Sequence, residues 1–198
     1  MWWVQLLNSI VGLLNGGAGG GAGSYESIAT ATGTGSNTSV TFSSIPSTYT
    51  SLQIRAVYRD TNTPGTTRQN LNLEFNGSGG TNYAVHYLQG DGATASAAGF
   101  TAYPFVVING AGAAGNTTAN VYGASIIDIH DYASTTRNKT VRYLAGINDN
   151  TATAGNQRIS IGSGLWLSTS AITSIKVICG DTAFATNTTI SLYGIKGA

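Results

Sequence analysis

The stretch Leu52-Gln53-Ile54-Arg55-Ala56-Val57-Tyr58-Arg59 decides the fold. Leu52, Ile54, Ala56 and Tyr58 fall on one side, and Gln53, Arg55 and Arg59 on the other. A period of two means an extended strand with one wet face. Leu71, Leu73 and Phe75 alternate in the same way with Asn70, Asn72 and Glu74. Further strands are expected over 39–42, 83–88, 105–108, 121–130, 140–147, 158–165, 171–179 and 188–195. Turn signals separate them: Asn62-Thr63-Pro64-Gly65, Asn76-Gly77-Ser78-Gly79-Gly80, Asp91-Gly92, Asn109-Gly110 and Asn148-Asp149-Asn150. Residues 92–99 and 110–120, rich in Gly, Ala, Asn and Thr, read as loops, and Gly162-Ser163-Gly164 reads as a short turn. Many short strands with polar turns predict an all-β, antiparallel two-sheet sandwich. At this length the jelly roll is the expected type.

Composition supports that class and excludes others. Of 198 residues only 9% are charged, with a formal net charge of +1. There is no basic excess to hold a phosphate backbone, so a nucleic-acid partner is not expected. A hydrophobic content of 41% is too high for a disordered chain. Scarce Glu and Lys beside abundant Thr, Ser, Asn and Gly disfavour long helices. The one cysteine, Cys179, excludes an intramolecular disulfide and reads as a small buried residue in a strand. Thr- and Ser-bearing strand faces can be covered by a neighbour without desolvating ions. Scarce charge thus points to surfaces that meet other subunits.

The first residues stand apart. MWWVQLLNSIVGLL is followed by a glycine-rich run, and the first charged side chain is Glu26. Gln5, Asn8, Ser9 and Gly12 follow helical spacing on one face. Trp2, Trp3, Leu6, Leu7, Ile10, Val11, Leu13 and Leu14 cover the rest. The expected organisation is an apolar helix over 1–15, a flexible tether over 16–24 and a β-sandwich over 25–198. Fourteen residues are too few to span a bilayer, which takes about 20. The lack of Lys or Arg disfavours both a signal peptide and a membrane-surface helix. A tethered apolar helix suits a groove on another protein, with Trp2, Trp3, Leu6, Leu7, Ile10, Val11 and Leu14 as docking residues. The plainer alternative is that it folds back on its own domain.

The densest titratable cluster is Asp128-Ile129-His130-Asp131. On a strand, Asp128 and His130 share a face, and a carboxylate beside an imidazole can orient a base. No G-x-S-x-G elbow supplies a nucleophile. His86 and His130 with Asp128 would make a two-His-one-carboxylate set, but no H-E-x-x-H spacing supports it. The plainer expectation is a strand end stapled by hydrogen bonds or paired with Arg137, Lys139 or Arg142. No catalytic residue, metal or cofactor is therefore expected. Five Asn-x-Ser/Thr sequons, at Asn37, Asn76, Asn116, Asn138 and Asn187, are what chance gives in a chain this rich in these residues. Trp166 is expected in the core or an interface.

Several phrases resemble a module of small virion proteins of tailed bacteriophages. They are 41–55 (TFSSIPSTYTSLQIR), 83–92 (YAVHYLQGDG), 128–146 (DIHDYASTTRNKTVRYLAG), 161–177 (IGSGLWLSTSAITSIKV) and 190–197 (ISLYGIKG). The resemblance covers residues 25–198 and leaves the N-terminal segment outside. It implies a jelly-roll-like domain on the particle exterior, trimeric, with no catalytic residue set. The leading expectation is a homotrimeric capsid decoration or cement protein, anchored to a major capsid or tail protein by its N-terminal helix. A tail-associated receptor-binding or fibre-tip protein is the second. The third is a carbohydrate-binding module that meets host surface glycans through exposed tyrosines such as Tyr83, Tyr87 or Tyr132.

Overall fold

The computed structural model describes residues 24–62, 67–150 and 156–197. The expected helix over 1–15 with its docking residues, nearly all of the tether, and the turn at 63–65 lie outside these. The described residues form strands only: β1 (Tyr25–Thr32), β2 (Ser39–Phe42), β3 (Ser51–Tyr58), β4 (Arg68–Phe75), β5 (Tyr83–Gly90), β6 (Ala95–Tyr103), β7 (Val106–Ala113), β8 (Gly123–His130), β9 (Lys139–Ile147), β10 (Arg158–Trp166), β11 (Ile175–Cys179) and β12 (Thr189–Ile195). They pair into an eight-stranded sheet, β1-β12-β3-β8-β9-β10-β5-β6, and a four-stranded sheet, β2-β11-β4-β7.

The winding is that of a jelly roll. The order β1-β12-β3-β8 faces β2-β11-β4-β7, and the chain alternates between the two sheets as it passes β1, β2, β3 and β4. Two insertions widen the first sheet. The pair β5–β6 is inserted between β4 and β7, and β9–β10 between β8 and β11. These four strands line up beyond β8, so one sheet is twice as wide as its partner. All pairing between the strands is antiparallel.

The alternation read in β3 and β4 sets the core. Leu52, Ile54, Tyr58, Leu71, Leu73 and Phe75 are all 0–3% exposed and meet Ile127, Val141, Val177 and Leu192 between the sheets. Trp166 joins them, stacked on Tyr83 at 6.3 Å and edge-on to Phe75 at 5.6 Å. The polar faces are less wet than their spacing implies. Gln53 and Asn72 are both 7% exposed. Gln53 is capped by hydrogen bonds to Asp128 and Arg55, and Asn72 lines a cleft beneath the inserted strands.

Other expectations change as well. Residues 95–103, mostly expected as loop, form β6, and β7 continues through 110–113. Asn109-Gly110 is a bulge inside β7, where Gly110 takes φ 61 and its N–H is held by Asn70 Oδ1 at 2.9 Å. Only 175–179 of the expected strand over 171–179 is extended, and β1 was not anticipated. Gly162-Ser163-Gly164 lies in the middle of β10 rather than in a turn. A methyl at Gly162 would overlap the Tyr143 ring, and one at Gly164 would overlap Val106. Gly162→Ala is therefore expected to destabilise by about 1–3 kcal/mol, lowering a calorimetric melting midpoint by roughly 5 °C. An unchanged midpoint would show that Tyr143 moves aside freely.

Candidate functional site

The wide sheet turns one face to the core and the other outward, and the outward face is unusually apolar. Ile126 on β8 pairs with Leu144 on β9, Leu144 with Ile161 on β10, and Ile161 with Leu88 on β5. These four side chains form one cross-strand row and are 45–56% exposed. A parallel row carries Val57 and Ile159, at 47% and 63% exposed, with Ala124, Gly146 and Gly90 between or beside them. The small residues floor a trough of about 750 Å³ walled by Ile126, Leu144 and Ile159. Solvent-facing aliphatic rows of this extent mark interaction surfaces. Covering the exposed half of these six side chains would contribute about 5 kcal/mol. Association costs at least about 4 kcal/mol in lost freedom, so the rows need further contact around them.

The flanking row supplies polar surface that is already satisfied. Asp128 accepts from Gln53 Nε2 at 2.8 Å and pairs with Arg142 at 3.0 Å. Burial tends to raise the Asp128 carboxyl, but those donors and the Arg142 charge outweigh it and hold it below its ordinary value. Arg55 donates to Gln53 at 2.8 Å, and its guanidinium lies over the rings of Tyr25 and Tyr193. Charges paired within the chain can be covered without leaving an orphan ion.

The far edge of the wide sheet is equally open. All but the last residue of β6 is exposed, and its sequence, ASAAGFTAY, carries no charge. Edge strands are normally guarded by charged side chains. The opposite edge, β1, has Glu26 tied to Lys196 at 2.6 Å. The unguarded edge adjoins the apolar rows, because Ala97 of β6 pairs with Leu88.

The structure separates most of the residues that the sequence brings to notice. Asp128 and His130 do share the outer face, but both Asp128 oxygens are engaged by Gln53 and Arg142. His86 lies in the same cross-strand row as Asp128, with Ser163 and Arg142 between them. Three strand spacings, about 14 Å, separate the two, so His86, His130 and Asp128 form no ligand set. Among the described residues no group of three or more His, Cys, Asp and Glu could hold a metal ion. Asp131 pairs with Arg137 at 2.8 Å. Lys139 is buried and donates to the carbonyls of Ser134, Arg137 and Ser168.

Two of the tyrosines expected to face a ligand are core residues. Tyr83 is 0% exposed, and its hydroxyl accepts from the Phe75 N–H at 2.8 Å. Tyr132 is also 0% exposed, donating to the Pro46 carbonyl and accepting from the Tyr49 N–H. Both rings bury because their hydroxyls find backbone partners inside. Tyr87 remains half-buried at the edge of a cleft. Sequence reading overlooked the aliphatic rows because each strand contributes only one or two of their residues.

Neither a family model nor a curated protein matches the chain. Among solved structures it has a likeness to an exo-inulinase from Aspergillus awamori, with 6% identity and a TM-score of 0.27. That match covers 87% of this chain and 29% of the inulinase. A likeness of that degree carries no argument about activity.

Proposed function

We propose that this protein is a non-enzymatic structural component of a bacteriophage virion, a homotrimer that decorates the outside of the capsid. The observation that carries this reading is the outward face of the wide sheet. Rows of half-exposed aliphatic side chains, with their neighbouring charges already paired, suit a face covered by other copies. The unguarded β6 edge adds backbone that a neighbour can pair with or shield. Both features sit largely on the inserted strands, which broaden the sheet beyond a basic jelly roll. The apolar segment over 1–15 is the anchor, and three anchors in a trimer raise one another's effective concentration on the shell.

Light scattering of the full chain is expected to give three times the 20.3 kDa chain mass. Deleting residues 1–15 is expected to leave a folded, soluble, trimeric body that no longer joins particles. Full occupancy of particles by the truncated protein would remove the anchor from this reading. Density for the chain on the tail instead of the shell would replace capsid decoration by a tail role.

A further inference from the structure

Strands β5 and β6 carry the wide sheet past β7, the edge of the narrow one. Tyr83 and Val85 of β5 still reach the common core, but Tyr87 on β5 and Phe100 and Tyr103 on β6 look onto a cleft. Four rings form one wall. Tyr87 lies 6.2 Å from Phe100, Phe100 5.4 Å from Tyr103, and Tyr103 5.2 Å from Phe105. Phe100 is 39% exposed although it sits opposite the buried Val85. Asn70, Asn72, Asn109, Gln69 and Asp181 form the other wall. Two hollows of about 200 and 370 Å³ run together here, sharing Gln69, Asn70, Tyr87 and Asn109.

The polar wall is built but not saturated. Asn72 Oδ1 is buried and has no hydrogen-bond partner, in a residue only 7% exposed. Arg158 Nε, at the second hollow, is likewise buried without a partner. Asp181 already accepts from Asn62 and Gln69, at 2.8 and 2.7 Å. Buried polar atoms normally have partners, so an orphaned acceptor in a hollow lined by amides signals a missing donor.

We propose that this cleft binds a neutral sugar unit of a glycan. The rings offer flat apolar surface to the C–H face of a pyranose. The amides offer donors and acceptors in the mixture that hydroxyl groups require, and a hydroxyl can donate to Asn72 Oδ1. The combination of an aromatic wall with a few convergent polar groups is typical of small-ligand sites. An anionic ligand against the rings would face the Asp181 carboxylate, so the neutral sugar is assigned to the first hollow, while the Arg68 and Arg158 guanidiniums line the second. This site stands apart from the assembly face, because Leu88 and Ala97 point outward while Tyr87 and Phe100 point into the cleft.

Full-length protein titrated with the methyl glycosides of glucose, galactose, mannose, rhamnose and N-acetylglucosamine, followed by saturation-transfer NMR, tests the proposal together with a glycan array. At least one sugar is expected to bind. Phe100→Ala and Asn72→Ala are each expected to weaken that binding about tenfold or more. Arg137→Ala, in the exposed turn before β9, is expected to leave it unchanged. Phe100 sits on an exposed edge strand, so its variant keeps the test valid should Asn72→Ala fail to fold. No binding by any glycoside or arrayed glycan overturns the proposal, as does binding that survives Phe100→Ala. Either result leaves the trimer and its particle location to be judged separately.

Discussion

Asp60→Ala is expected to destabilise the protein by about 3 kcal/mol or more, the largest loss from any single side chain considered. Asp60 is 0% exposed just past the end of β3. Its Oδ1 accepts from the Asn62 N–H and the Thr182 hydroxyl, both at 2.6 Å. Its Oδ2 accepts from Cys179 Sγ at 3.0 Å and the Asp181 N–H at 3.2 Å, with the Tyr58 hydroxyl at 3.3 Å. One carboxylate thus fastens the end of β3 to the turn after β11, and so joins the two sheets. Alanine would leave buried donors without acceptors, which costs more than the net value of the bonds themselves. Cys179 is buried as its strand position suggests, but it is a hydrogen-bond donor rather than a purely apolar filler. Burial, with the bond to Asp60, pushes its thiol up to about 12.

The same site predicts a pH response. Burial alone would raise the Asp60 carboxyl, but the bonds from Cys179, Thr182, Asn62 and Asp181 outweigh it and hold it below its ordinary value. The unfolded state then binds more protons around the folded transition. The stabilisation is present above the unfolded value, near pH 4, and is lost as pH falls through the lower folded value. Denaturant unfolding of wild type and Asp60→Asn from pH 6 to pH 2 is the measurement. Wild type should lose stability more steeply. Equal slopes, or Asp60→Ala within about 1 kcal/mol of wild type, would show that the fastening is weak.

Leu144→Lys combined with Ile161→Glu is expected to convert the proposed trimer to single chains while the fold survives. The two residues are direct cross-strand partners in the middle of the exposed aliphatic row. Opposite charges there can pair with one another on a solvated monomer, so folding stability should change by less than about 1 kcal/mol. Inside an interface the same two charges would lose their water and displace apolar contact. A weakening of association by roughly a thousandfold, about 4 kcal/mol, is expected. Sedimentation across a concentration series reads it directly. A variant that stays trimeric would move the interface away from this face.

How much of this was legible from residue order differs from strand to strand. In β3, Leu52, Ile54, Ala56 and Tyr58 alternate with Gln53 and Arg55, so strand, face and core membership follow together. In β6, residues 95–99 (ASAAG) are small throughout and show no contrast between their faces, so that half of the strand reads as loop. In β10, alternation is present but points the other way. Ser160 and Gly162 face inward and Ile159 and Ile161 face out, at 63% and 53% exposed. The inward positions are small because Tyr143 fills the space above Gly162 and Val106 the space above Gly164, while Ser160 donates to the Asn109 carbonyl at 2.5 Å.

Residue order by itself thus determined that the chain is an all-β sandwich of short antiparallel strands, with few charges and an apolar N-terminal segment. Tertiary structure decided which faces are covered and where surfaces converge. The aliphatic row draws Leu88, Ile126, Leu144 and Ile161 from four strands, and the cleft sets rings from β5 and β6 against amides from β4 and β7. Local spacing records the period of a strand, which the backbone imposes on nearest neighbours. It does not record which side meets the other sheet, because that depends on side-chain volumes supplied by strands far away in the chain.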